Sequence, residues 1–149
     1  MPTITEIENA IIERLRACLP YLRTCGSLSG FSGRSPEVIE VMAPLCPAAF
    51  VIYKQGTFLL KMSGVQDRMM LFGVVAAVRN LRGESALRHG SIGQKGIYEV
   101  LEDVRSALSE QSCGIDVEPF APVTEEAFSG TRDFAVYEIL FRTGCRVAP

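Results

Sequence analysis

Tryptophan is absent from this sequence, and histidine occurs once, as His89. A lone histidine cannot supply a metal site built on paired imidazoles, and neither Cys46 nor Cys113 has a neighbouring ligand at zinc spacing. Five cysteines are present (Cys18, Cys25, Cys46, Cys113 and Cys145), an odd and scattered set with no Cys-x-x-Cys pair. A disulfide framework is therefore not expected, and reduced, mostly packed thiols in a cytosol are. An excess of charge of one sign is also lacking: 15 basic residues stand against 17 acidic, for a net charge of -2. That balance argues against a dedicated nucleic-acid binder held by phosphate contacts. The apolar run from Met69 to Val78 is flanked by Asp67-Arg68 and Arg79-Asn80 and is too short to cross a bilayer. No segment joins a positive start, an apolar core and a cleavage site, so an intracellular domain is expected.

What is present is core-forming material. At 149 residues, 48% of them apolar, the chain has the size of one domain (1–149), able to bury roughly 70% of its unfolded surface. Thr3-x-x-Glu6 and Thr5-x-x-Glu8 are alternative capping boxes for a first helix. Ile4, Ile7, Ile11, Leu15 and Cys18 follow at spacings of three and four, giving one apolar stripe, and Pro20 ends the helix nearby. A second main helix starts after Gly96, with Ile97, Val100, Leu101, Val104, Ala107 and Leu108 on one face.

Between these helices, Gly26 to Ser35 reads as a flexible glycine-serine loop. Ser35-Pro36-Glu37 reads as the start of a short helix that Pro44 and Pro47 bracket. Ala49 to Lys54 predicts a buried strand, Gln55-Gly56-Thr57 a turn, and Phe58 to Met62 a strand able to pair back, with a break at Ser63-Gly64. The Val-, Phe- and Leu-rich run from Arg68 to Val78 predicts the long central strand. Asn80 to Gly96 reads as a basic glycine-rich loop. An extended segment begins at Ile115 to Pro119, at an edge given Pro119 and Pro122. The last strand is expected at Phe134 to Arg142, with Ala135, Tyr137, Ile139 and Phe141 on one face and Glu138 and Arg142 on the other. The class is α+β: an antiparallel or mixed sheet of four to five strands, with two main helices packed on one face.

Each candidate for chemistry meets a plainer reading. Gly90-Ser91-Ile92-Gly93-Gln94-Lys95-Gly96 resembles a phosphate-binding loop, but Lys95 is followed by Gly96 rather than by the Ser or Thr that holds magnesium. A Cys–His nucleophile pair has no flanking signature, and His89 reads as an exposed loop residue. Glu99, Glu102 and Asp103 read as the solvated side of an amphipathic helix. The one local basic concentration is Arg79, Arg82, Arg88 and Lys95, interleaved with glycines and without aromatic residues placed to stack bases. Loops on rigid scaffolds carry contacts, and the planar arginine fork pairs with carboxylates. These four residues are the candidate partner or subunit contact; no catalytic residue, cofactor or metal is expected.

The order of features carries a resemblance that runs nearly end to end. Ile4 to Leu15 with Leu19-Pro20, then Phe72, Val74 and Val75 leading into Arg79-Asn80-Leu81-Arg82-Gly83, then Gly96 to Leu108, then Phe134 to Phe141, resemble the small Mu-like phage tail protein family. That family is encoded beside the contractile sheath and is regarded as a tail terminator or tail-completion protein. The chain departs from it at Gly26 to Ser35 and in the Ser63-to-Asp67 connection. The resemblance implies a non-enzymatic virion component, a ring with six copies as the expected number, at the head-proximal end of the tail tube. Its implied partners are further copies of itself, the tail tube protein, the tail sheath protein and the head–tail connector. DNA is implied only as a passing occupant of the ring channel, and no membrane is implied. The location implied is the virion tail or neck, after assembly in the host cytoplasm. Two competing readings are a small soluble α+β enzyme or ligand-binding domain, and a tail-assembly chaperone absent from the virion.

Overall fold

The computed structural model describes residues 2–28, 42–60 and 64–147. Helix α1 (Ile4–Cys18) begins at Thr3, so the first of the two possible capping boxes is the one used. The Glu6 amide donates to Thr3 Oγ1 at 3.1 Å and the Thr3 amide donates to Glu6 Oε2 at 3.0 Å, which satisfies two otherwise open donors of the first turn. Ile7, Ile11, Ile12 and Leu15 are buried, whereas Cys18, expected on the apolar stripe, is exposed. Ile12 takes part in the core in its stead.

The strands are β1 (Thr24–Ser27), β2 (Ala48–Leu60), β3 (Gln66–Arg79), β4 (Ala121–Gly130) and β5 (Phe134–Val147). They form one five-stranded sheet in the order β1-β2-β3-β5-β4. β1 runs parallel to β2 and every other pairing is antiparallel, so the sheet is mixed and the fold is α+β. A 3₁₀ turn, Ala43–Leu45, precedes β2. The crossover from β3 to β4 holds α2 (Glu84–His89) and α3 (Ile97–Leu108).

Several sequence expectations are corrected here. Gly26 and Ser27, assigned to a loop, complete β1; the rest of that loop beyond Leu28 and the helix start at Ser35-Pro36-Glu37 lie outside the described residues, as do Lys61 to Ser63. Gln55-Gly56-Thr57 is not a turn. β2 continues through it for 13 residues, with a bulge in which Tyr53 pairs with Phe72, Gln55 pairs with Leu71, and Lys54 is the extra residue. Phe58, Leu59 and Leu60 accordingly pair with Arg68, Asp67 and Gln66 at the start of β3 rather than with the first half of β2. The extended segment expected from Ile115 becomes a strand only at Ala121, and β4 is indeed an edge. The region from Asn80 to Gly96 contains the six-residue helix α2, framed by Gly83 and Gly90 at positive φ and anchored by buried Leu87.

Alternation along the central strand divides the core. Met70, Phe72, Val74, Ala76 and Val78 of β3 share one buried cluster with Ile7, Ile11 and Leu15 of α1, with Val100, Val104 and Leu108 of α3, and with Ile139 and Phe141 of β5. Val75 and Ala77 belong to a second cluster with Met42, Ala48, Phe50, Phe134 and Val136. The full face of α3 read from its periodicity is buried. Both faces of the central strand are thus dry, which explains why Met69 to Val78 reads as a continuous apolar run instead of alternating.

The bulge gives that second face its one buried ion pair among the described residues. Lys54 Nζ lies 3.2 Å from Glu138 Oε2, whose side chain is 4% exposed. Gly73 makes room for the carboxylate: a Cβ there would stand 3.0 Å from Glu138 Oε2 and 3.3 Å from Ile52 Cγ2. A bulge that re-aims one side chain is a common use of the motif.

Candidate partner-contact site

The basic residues picked out from the sequence do not act as one group. Arg79 ends β3 and is exposed. The next residue, Asn80, is buried and shapes the turn: its Oδ1 accepts the Arg82 amide at 2.9 Å, its Nδ2 donates to Ser91 Oγ at 3.2 Å, and its own amide donates to the Asp133 carbonyl at 2.9 Å. The Gln94 side-chain amide donates to the Arg79 carbonyl. This network fixes the backbone from which Arg79 and Arg82 project.

Both arginines line a hollow of about 410 Å³ whose other described walls are Arg23, Ala43, Pro44, Cys46, Asn80, Leu81 and Gln94. Three guanidinium groups thus border it, and no Asp or Glu does among the described residues. None of the three has a salt bridge among the described residues. Burial pushes the Cys46 thiol up to about 12, although the Arg79 charge acts to lower it. The thiol at this wall is therefore protonated and unreactive near neutrality.

Lys95 is directed elsewhere. Its Nζ lies 2.7 Å from Asp103 Oδ2 on α3 and 4.7 Å from the centre of the Tyr21 ring. Tyr21 donates its hydroxyl to the same carboxylate oxygen at 2.6 Å. Burial alone would raise the Asp103 carboxyl, but the hydrogen bonds from Lys95 and Tyr21 outweigh it and hold the group below the usual carboxylate range. Burial, and then the adjacent Asp103, push the Tyr21 hydroxyl well up. The lysine of the glycine-rich loop is thus committed to a structural triad. Ser91 and Gln94 close a tight turn, with amide-to-carbonyl bonds of 2.9 and 3.0 Å, and the Glu99 side chain returns to the Gly96 amide at the start of α3. Lys95 lines a second hollow, which shares Cys46 and Gln94 with the arginine hollow.

Arg88 lines neither hollow. It lies exposed in the last turn of α2. His89, beside it, is also exposed and meets the Tyr98 ring edge-on, with centroids 5.4 Å apart. Of the four basic residues, the structure brings together Arg79 and Arg82, places Lys95 next door in an internal ion pair, and separates Arg88. It adds Arg23, which sequence reading missed because Arg23 stands just before β1, on a segment far from the loop. No spacing rule connects the two; only the parallel docking of β1 on β2, beside β3, does.

A search of curated proteins finds no match to this chain. Among protein-family models, the one described as Bacteriophage Mu, Gp37 matches residues 3–144. That span takes in every helix and all of the sheet except the last three residues of β5, and the chain belongs to the Bacteriophage Mu Gp37 family.

Proposed function

We propose that this phage structural or assembly protein is a non-enzymatic tail terminator: a ring, hexameric in the expected case, at the head-proximal end of a contractile tail tube and sheath. The observation that carries this reading is the family match over nearly the whole chain, joined to the ordered set of features that resembles the small Mu-like tail protein family. The surface of the subunit is compatible with it. Phe58, Leu59 and Leu60 are 53%, 56% and 74% exposed at consecutive positions where β2 ends. Contiguous exposed apolar side chains of this kind mark interaction sites. The sheet also has two different edges, β1 and β4, and a contact between unlike surfaces is the kind that closes into a ring.

The partners that follow are further copies of the chain, the tube and sheath proteins on one side and the head–tail connector on the other. Imaging of purified virions tests the reading. The expected result is a closed ring of this chain between tube and connector. A single copy at the tail end would sink the ring, and absence from purified particles would transfer the chain to the class of assembly chaperones. Monomers in dilute solution fit the proposal, since closure can require the tube as template.

A further inference from the structure

We infer that the ring closes by strand addition: the open outer edge of β2 in one copy pairs, antiparallel, with the β4 edge of the next, so that one sheet runs on from subunit to subunit. This rests on the ring reading above. Beside β2, β1 reaches only from Ala48 to Val51. From Ile52 to Leu60 the outer edge of β2 has no strand beside it among the described residues, although its inner edge is paired with β3 as far as Gln66. That open stretch holds no proline, no charge from Gln55 to Leu60, and three exposed apolar side chains, Phe58, Leu59 and Leu60. An edge of this kind is a template for a further strand. At the far end of the sheet, β4 also has no strand on its outer side among the described residues, and its Val123 is 50% exposed.

Direction and length both fit. β2, β3, β5 and β4 alternate in direction, so the β4 of an equally oriented neighbour runs antiparallel to β2. The open edge of β2 stands level with eight positions of β3, Gln66 to Gly73. β4 pairs with eight positions of β5, Ala135 to Arg142, and these are level with Leu71 to Val78 of β3. The two edges are thus equal in length and offset by five positions, from Gln66 to Leu71. With that offset the neighbour's β4 fills the space beside β2 that β1 leaves. Five positions at about 3.3 Å span about 17 Å, and four strands at about 4.8 Å span about 19 Å. The ratio gives a strand tilt of about 40°, inside the roughly 35–45° of closed barrels. Pairing β4 with a second β4 would instead bring glutamates against glutamates, which is unfavourable. Pro122 withholds one amide near the end of the β4 edge, and the run from Thr124 to Ala127 beyond it is free of bulges. In the offset register Thr124 lies opposite Phe58 of the neighbouring copy, and Ala127 opposite Gln55.

Cysteine pairs in full-length chains carrying Cys18→Ser test this register, in purified virions and in the isolated protein. Gln55→Cys with Ala127→Cys, and separately Phe58→Cys with Thr124→Cys, should yield a ladder of disulfide-linked multimers on oxidation, read on a non-reducing gel. Within one chain β3 and β5 separate β2 from β4. That separation is roughly 14 Å, beyond the reach of a disulfide, so every such link joins two copies. The two pairs lie three positions apart, so one of them is of the closer, non-hydrogen-bonded kind. Chains with only one of the new cysteines should stay unlinked. If the variants lose thermal stability, hydrogen exchange of the unsubstituted chain decides: outward amides between Gln55 and Leu60 should exchange at least about a hundredfold more slowly in rings than in monomers. Rings whose pairs do not link in stable variants, or whose β2 amides are not slowed, overturn the strand contact and leave the terminator reading standing. Linkage by Gln55→Cys or Phe58→Cys alone would show two β2 edges meeting about a two-fold axis, and overturns it too. A chain absent from virions and monomeric at millimolar concentration overturns both.

Discussion

Gly96 stands at the N-terminus of α3 with the backbone of Gly90 and Arg88 pressed against it, so that a Cβ there would collide with the Gly90 nitrogen and the Arg88 carbonyl. Main-chain atoms held by α2 and by the Ser91–Gln94 turn have little room to move aside. Gly96→Ala should therefore lower stability by about 3 kcal/mol, seen as a fall of about 6–12 °C in a thermal melt for a domain of this size. Gly93 gives the contrasting case. A Cβ there meets nothing within 4 Å, and only its φ of 77° opposes substitution. Gly93→Ala should cost about 1 kcal/mol, from left-handed backbone alone, and equal losses at both positions would refute the steric account. The thiols separate in the same way. Burial raises Cys25, Cys46, Cys113 and Cys145 to differing extents, while Cys18 is exposed. With Cys46 at about 12, its thiolate fraction at pH 8 is about one in ten thousand. Native labelling with a thiol reagent should modify Cys18 first and Cys46 last, with five free thiols counted after denaturation; early modification of Cys46 would contradict its packing.

At the scale of elements, the triad of Tyr21, Lys95 and Asp103 ties the segment after α1 to α3 and to the loop that precedes it. The folded state holds the Asp103 carboxyl below its unfolded value. Its contribution is thus present above the unfolded pKa and is lost as pH falls through the folded one, in the acid range below about pH 4. The Tyr21 hydroxyl is shifted the other way, so its contribution holds below about pH 10 and is lost at more alkaline pH. Asp103→Asn should flatten both limbs of the stability-against-pH curve relative to wild type. The change near neutrality should be under about 1 kcal/mol, since the pair is partly solvated. An unchanged alkaline limb would mean that Tyr21 does not depend on this carboxylate. These elements also mark how far the sequence could be read. α1, α3, β3 and β5 were legible because a helical stripe, or a long run of β-branched and aromatic residues, is a local signal. β2 was misread at Gln55-Gly56-Thr57 because a bulge and a turn use similar residues, and only pairing with Leu71 and Phe72 distinguishes them. The triad was not legible at all: Tyr21 and Asp103 meet through tertiary packing, and Asp103 by spacing alone looked like one more solvated acid.

For the whole molecule, the question is whether the basic loop acts as a unit or only through the part that reaches the hollow. Composition suggested the unit, since Arg79, Arg82, Arg88 and Lys95 are close in sequence. Folding breaks it up: α2 carries Arg88 away, Asp103 captures Lys95, and Arg23 joins the two arginines that remain. Arg82 and Arg88 are both exposed, and exposed charges without ion pairs contribute within about 0.5 kcal/mol to stability. Arg82→Ala and Arg88→Ala should therefore melt like wild type, and their assembly phenotypes should differ. Loss of Arg82 removes one of the three cations that border the hollow and should lower both ring stability and the yield of completed tails, with the larger effect at low salt, where the attraction it removes is unscreened. Loss of Arg88 should leave both near wild type. Equal defects in the two variants would restore the loop as a single contact surface, and normal tails from the double variant would remove it from assembly altogether.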